Sequence, residues 1–542
     1  MTWTRINSIF TLVITLLISS TTMADILCGD PVMTDSGLVR GQAEMETATC
    51  VWRGVPYAEP PVGKLRWKGP QPTPPWSGSR DTTQFGHSCM QRGGEDMSED
   101  CLYLNIWRPA KSGRFPVIVF IHGGGYHGGS GNLRGDRLSH AGDVVVVSIN
   151  YRLNIFGFMA HPKLREASPH NSTGGYGAMD QAYSLKWVQE NIEAFGGDPG
   201  NVTIFGQSAG GQSICSMIAT PLARGMFHRA IFEGGGGQAA YELEQAYEIA
   251  RGSFERAGCG FDDIDCMLDM PADELLAKAA GHISKAFDYY PCIDGYVLTG
   301  TPQEMIEAGD FSRVPVLAGS NLDEFAMAVN LVPKYFFAMP FQYENKIIKG
   351  MGATPEEAKR LTELYPLSDF GNRPSRAMAR MYAADAALTC PMRSSVAAIV
   401  DQGLPAYLFK FEYKGMKYGK VLGSFHGAEL PFIFGELDRD RLYNSHNIEE
   451  AQELGRIIQG YWLNFAKTGD PNGEGLPEWK RFDSGEQRIQ ILDVEVSNVP
   501  HPDAEKCDFW DGYSTPYTEL VNLLLDQLDP RKKTKPRLTP DN

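Results

Sequence analysis

The sequence lacks the features that would tie it to a metal, a membrane or a nucleic acid. No Cys-x-x-Cys or His-x-x-x-His spacing offers a zinc site. Beyond the N-terminus no segment approaches the roughly 18 uninterrupted apolar residues of a spanning helix. Positive charge is short as well, with 50 Lys and Arg against 66 Asp and Glu, a net charge of −16. Such a surface repels phosphate backbones and anionic lipid, which argues against nucleic-acid and peripheral membrane partners. There is no internal repeat.

What is present fits a folded, exported protein. Hydrophobic residues make up 42% and charged residues 21% of the 542 positions, ordinary proportions for a globular chain. Residues 1–24 have the shape of a secretory signal. Arg5 supplies the positive end, Ile9 to Ile18 the apolar stretch, and Thr22-Met23-Ala24 the small-residue cleavage site. That stretch is too short for a membrane anchor, so Asp25 is the expected mature start, with a secreted or periplasmic destination. Ten cysteines in such a chain point to disulfides. Cys89 and Cys101 could close one local loop and Cys259 and Cys266 another. Cys28 and Cys50 flank a hairpin-like stretch and are a further candidate pair.

The pattern along the chain is α/β. Pro116–Ile121 (PVIVFI) and Val144–Ile149 (VVVVSI) are continuous apolar runs rich in β-branched residues, as strands buried on both faces should be. Met179, Ala182, Tyr183, Trp187, Val188 and Ile192 recur at helical spacing. Asn201–Phe205 reads as the next strand, with Ala230–Phe232, Val314–Ala318 and Ala406–Phe411 as later ones. Residues 335–400 are helical in composition and contain no buried-strand run. They are expected as an insertion in one large domain spanning 25–530. Tyr517–Asp529 reads as a terminal amphipathic helix, and 531–542 as a charged, disordered tail.

Gly206-Gln207-Ser208-Ala209-Gly210 is a GxSxG motif placed directly after the strand NVTIF and before a helix-like run. A nucleophilic serine needs that strand–turn–helix elbow, which lifts its hydroxyl clear of the sheet. An acyl-transfer serine also needs amides for an oxyanion. His122-Gly123-Gly124-Gly125 follows a buried strand at once, so Gly124, Gly125 and the Ala209 amide are the expected donors. The general base must be a histidine, since its pKa lies near working pH. With chain order Ser, acid, His, the candidates are His426, His446 and His501. His446 lies in a charged stretch and His501 in a polar, Pro-flanked one, where surface histidines are usual. His426 sits in a Gly-bracketed loop after a strand and is the choice. The acid should follow a strand end, which leaves Asp323 and Glu324 open.

These residues are embedded in longer stretches: YAEPPVGKLRW (57–67), SEDCLYLNIW (98–107), HGGGY (122–126), NYRLNIFGF (150–158), WVQENIEAFGGDPGNVTIFGQSAGG (187–211), HGAELPF (426–432) and NFAKTGDPN (464–472). With them the chain resembles the type-B carboxylesterases, a family that includes cholinesterases, bile-salt-activated lipase and microbial para-nitrobenzyl-type esterases. The resemblance implies an α/β-hydrolase fold, a large mostly parallel sheet flanked by helices. It implies hydrolysis of small-molecule carboxylic esters, with no metal or organic cofactor. It also selects the glutamate of the acid pair, giving Ser208–Glu324–His426. The family's disulfides fall on Cys89–Cys101, Cys259–Cys266 and Cys390–Cys507. Cys28–Cys50 then remains a candidate on position alone, and Cys215 and Cys292 are expected free and buried. Family ion pairs fall on Arg66–Glu99 and Arg152–Asp180.

The departures from the family pattern are informative. The loop from Cys89 to Cys101 is short and holds no Trp, so a choline-type cation loses its main aromatic partner. Gln207 stands where the family usually has Glu. Glu233-Gly234-Gly235 stands in place of a QSG sequence whose serine supports the triad. Gln207, Phe287, Tyr289 and Tyr290 align with the family's substrate pocket, while the aromatic three could equally be core. The expected activity is thus that of a secreted serine carboxylesterase acting through an acyl-enzyme. The alternatives are a lipase or specialised esterase for a large natural ester and, more remotely, an inactive adhesion-type homologue. The latter class typically loses the serine.

Overall fold

The computed structural model describes residues 28–238, 240–280, 288–325, 338–438 and 448–513. The expected signal sequence, Phe287, His446, the terminal helix over 517–529 and the tail over 531–542 lie outside the described residues.

An 11-stranded mixed sheet runs through the molecule. In chain order its strands are β1 (Gln42–Glu44), β2 (Thr49–Pro56), β3 (Tyr103–Pro109), β4 (Phe115–Ile121), β5 (Val145–Ile149), β6 (Gly197–Gln207), β7 (Arg229–Glu233), β8 (Val316–Asn321), β9 (Ala406–Phe411), β10 (Arg488–Leu492) and β11 (Ser497–Pro500). Their spatial order is β11-β10-β9-β8-β7-β6-β4-β5-β3-β2-β1. From β5 through β4, β6, β7, β8 and β9 to β10 all neighbours are parallel. The N-terminal strands and β11 add antiparallel edges. This is the α/β-hydrolase fold, and it explains the uninterrupted apolar runs. Side chains alternate between faces along a strand. Val117, Val119 and Ile121 of β4 and Val145, Val147 and Ile149 of β5 therefore enter one core cluster. Ile118, Phe120 and Val146 enter the cluster on the other face.

Helices cover both faces. Helix α1 (Tyr176–Asn191) and α2 (Ala209–Ala219) pack on the first core. α1 begins before Met179, the first residue of the apolar pattern, because its opening residues Tyr176 to Ala178 are themselves buried. Strand β8 starts at Val316 rather than Val314, since Pro315 between them has no N–H to donate to a ladder.

A helical region follows β8. It includes Tyr343–Met351, Pro355–Leu364, a π-helical stretch Ala379–Thr389 and α3 (Cys390–Asp401). These surround a third apolar cluster. Helix α4 (Ile448–Thr468) lines the second face of the sheet. Four disulfides are formed: Cys28–Cys50, Cys89–Cys101, Cys259–Cys266 and Cys390–Cys507. Cys215 and Cys292 are free and buried. No described helix is long and apolar enough to cross a membrane.

Candidate active site

The C-terminal ends of β4, β6, β7 and β8 converge, and each delivers one part of a polar site. β6 ends at Gln207, and α2 begins at Ala209, so Ser208 alone makes the turn. Its backbone is forced into φ +63°, ψ −128°, a conformation costing about 1–3 kcal/mol for a non-glycine residue. The elbow closes only because Gly206 and Gly210 are bare. A Cβ on Gly206 would lie 2.4 Å from the Gly210 carbonyl oxygen, and one on Gly210 2.1 Å from that of Ile121. The Ser208 amide donates to the Glu233 carbonyl at 2.8 Å, fixing the elbow to β7.

After β4 the glycine run folds back on itself. The amides of His127 and Gly128 donate to the Gly124 carbonyl, at 3.0 and 3.1 Å. Gly124 and Gly125 adopt φ +110° and +62°. Among the described residues no acceptor takes the amides of Gly124, Gly125 or Ala209. The loop is clamped by Gln91, whose side chain both accepts from the Gly129 amide and donates to its carbonyl. His122 is held inside by its Gly123 carbonyl contact and stacks on Tyr151. Burial pushes its pKa down to about 4, which leaves it neutral.

Glu324 follows β8 and is fully buried. One of its oxygens accepts the Asn321 amide at 2.9 Å, and the other is hydrogen-bonded to Nδ1 of His426. The neighbouring Asp323 points elsewhere, accepting the Ser424 amide at 3.0 Å. Of the acidic pair, therefore, only Glu324 meets the histidine. The His426 side chain is 16% exposed. Burial alone would lower its pKa, but the charge and hydrogen bond of Glu324, helped by Glu429, turn the net shift upward. Nε2 of His426 lies 3.4 Å from the Gln207 amide nitrogen. The Ser208 hydroxyl makes no side-chain hydrogen bond among the described residues, as is common before substrate arrives.

Two further carboxyls, invisible as a pair in the sequence, stand behind this group. Glu233, the last residue of β7, accepts the Trp462 indole N–H at 2.8 Å. Its other oxygen has no N–H donor among the described residues and faces the Glu429 carboxyl. Glu429 in turn accepts from the Asn321 side chain. Both are buried, and no cation pairs with either among the described residues. Burial and the Glu429 carboxyl hold Glu233 well above the usual carboxylate range, while burial and the charge of Glu324 raise Glu429 to about 7. Gly234, beside them, has no side chain to crowd this corner. A Cβ there would sit 3.1 Å from both a Glu324 oxygen and the His426 ring.

Other residues singled out by the sequence have partners of their own. Tyr289 and Tyr290 are core residues. Tyr289 hydrogen-bonds Ser253 and the Ala279 carbonyl, and Tyr290 packs edge-on to Tyr126. His501 is buried rather than on the surface, accepting the Asp503 amide through Nδ1. Burial among cations presses its pKa down to about 3. Arg152 grips Asp180 through two hydrogen bonds, and Arg66 grips Glu99 likewise. Arg66 also reaches the carbonyls of Met267, Leu268 and Met270, which makes it a structural clamp.

A mostly parallel sheet, a strained serine elbow and a Glu–His pair at the strand ends define a serine hydrolase of the α/β-hydrolase fold. Residues 30–510 match the model of the carboxylesterase family. The para-nitrobenzyl esterase of Bacillus subtilis (strain 168) is 33% identical, over 88% of this chain and 97% of its own length. The liver carboxylesterase of Sus scrofa is 32% identical, over 92% of this chain and 96% of its own. Among solved structures, a carboxylesterase of Geobacillus stearothermophilus superposes with a TM-score of 0.79 at 35% identity, covering 89% of this chain and 99% of that one. The chain belongs to the carboxylesterase family and is a carboxylic-ester hydrolase.

Proposed function

We propose that this protein is an exported serine carboxylesterase working through an acyl-enzyme, with Ser208 as nucleophile, His426 as general base and Glu324 as the acid that orients it. The observation that carries this reading is the bond from His426 Nδ1 to the buried Glu324 carboxylate beside the strained elbow. With its proton on Nδ1, the imidazole keeps a lone pair on Nε2 for the Ser208 hydroxyl. Ser208 Oγ attacks the ester carbonyl as His426 takes its proton. The Gly124, Gly125 and Ala209 amides, which have no other acceptor among the described residues, receive the developing oxyanion. The tetrahedral intermediate collapses, and the alcohol leaves with the proton from His426. Water, activated by the same imidazole, then attacks the acyl-Ser208 ester and releases the acid.

Gln207 keeps the nucleophile's neighbour uncharged, and the loop from Cys89 to Cys101 has no Trp. Both features favour neutral esters over cationic ones. Export is supported by the sequence of residues 1–24 and by the four disulfides.

The test is hydrolysis of a nitrophenyl ester series, acetate through palmitate, by wild type and Ser208→Ala. The expected result is a short-chain optimum and at least about a 10³-fold loss of turnover in the variant. Equal rates in the two proteins would mean that another group is the nucleophile.

A further inference from the structure

Phe325 follows Glu324 directly and leaves it with a left-handed backbone, φ +44°. For a bulky residue this is an outlier, tolerated only where the surroundings over-determine it. Burial is not what holds it there, because Phe325 is 39% exposed. What the conformation achieves is a ring stack. The Phe325 ring lies over the His426 imidazole with centroids 4.0 Å apart and 29° between the planes.

We propose that Phe325 is a positioning residue for His426, a role that rests on the triad reading above. Its ring covers one face of the imidazole and fixes the ring plane, while Nδ1 is held by Glu324 at the edge. Its π face also attracts the imidazolium that forms when Ser208 gives up its proton, an interaction weaker with the neutral imidazole that precedes it. The strain at φ +44° is thus kept for an interaction strongest in the charged intermediate. The ionisable groups around His426 are Glu324 on the same loop and Glu429 beyond it, with Glu233 behind them; Asp323 is turned away and lies 3.8 Å from Lys414. None of these is altered by changing Phe325.

The experiment compares Phe325→Leu, Phe325→Tyr and Phe325→Gly with wild type in kcat, KM, Tm and the pH profile of kcat/KM on nitrophenyl acetate. Leucine keeps an apolar cover and loses the π face. It should lower kcat about three- to tenfold, leave KM within about twofold and move the acid limb to lower pH. Tyrosine should restore both. Glycine, freed of the left-handed penalty, should lower kcat while leaving Tm unchanged or raised. A leucine variant with wild-type kcat and acid limb would overturn the proposal, as would a glycine variant with wild-type kcat and a lowered Tm. Labelling with a serine-reactive phosphonate runs in parallel. Failure of wild type to label at Ser208 overturns the triad reading, whereas labelled protein indifferent to leucine overturns only the role of Phe325.

Discussion

Glu233 and Glu429 meet with no cation between them among the described residues, 0% and 2% exposed. Two acceptor-only groups can share a hydrogen bond only if one keeps its proton, and this is the direction in which both are shifted. The consequence for stability has a definite sign. Each folded-state pKa lies above its ordinary value of 4.5. The stabilisation is therefore fully present below about pH 4.5 and is lost as pH rises through the folded values, about 7 for Glu429. Glu233→Gln supplies a permanent N–H donor and removes one acid. Its Tm should fall less steeply than that of wild type between pH 5 and 8. Equal slopes in thermal melts across that range would show that the pair is not the source. Nothing at the residue level of the sequence announced this contact, because Glu233 ends a strand and Glu429 follows the histidine far along the chain. Only the fold makes them neighbours. The ring of Phe325 over His426 was hidden for a related reason: a left-handed φ at a phenylalanine has no signature in composition or spacing.

At the scale of elements, the legible parts are those where backbone geometry is recorded as glycine. The elbow needs Gly206 and Gly210, and the loop after β4 needs Gly124 and Gly125, so both announce themselves. Periodicity likewise revealed the buried parallel strands, since Val144 to Ile149 can bury every side chain only between two packed faces. Tyr289 and Tyr290 were ambiguous because an aromatic beside a gorge and an aromatic in a core look alike; the bond from Tyr289 to Ser253 places it in the core. The glycine loop yields a paired prediction. A Cβ on Gly124 would meet the Gly128 carbonyl oxygen at 2.2 Å, with φ already +110°. One on Gly128 would meet only the Gln91 side-chain oxygen, at 3.2 Å. Gly124→Ala should displace the proposed oxyanion amides and lower kcat about 10²–10³-fold. Gly128→Ala should stay within a few-fold of wild type, because a side-chain tip yields more easily than backbone. Matching losses in the two, measured on one nitrophenyl ester, would detach the amides from catalysis.

Across the whole molecule, the C-terminal segment is tied to the site by one covalent link and one ionic relay. Cys390–Cys507 joins α3 to the helix Ala504–Asp511 and spans 117 residues. Just before that helix, Asp503 pairs with Arg380, Lys410 and Lys506. Arg380 also binds Asp385 and donates at 3.0 Å to the Leu322 carbonyl, two residues before Glu324. Arg380, Asp385, Lys410 and Asp503 are almost completely buried, so removing one partner strands the others in a poor solvent for charge. The disulfide limits how far the segment can drift and thereby keeps Asp503 in the cluster. Loop entropy for a closure of this length gives about 4–5 kcal/mol. For a chain of this size, with an unfolding entropy near 1 kcal/mol per degree, that is about 4–5 °C in Tm. The double variant Cys390→Ser, Cys507→Ser should melt lower by about that amount. Because the relay ends beside Glu324, its kcat should also fall more than its phosphonate labelling at Ser208 when both are measured well below Tm. A variant that loses Tm but keeps wild-type kcat would confine the disulfide to global stability and separate the Asp503 cluster from the positioning of Glu324.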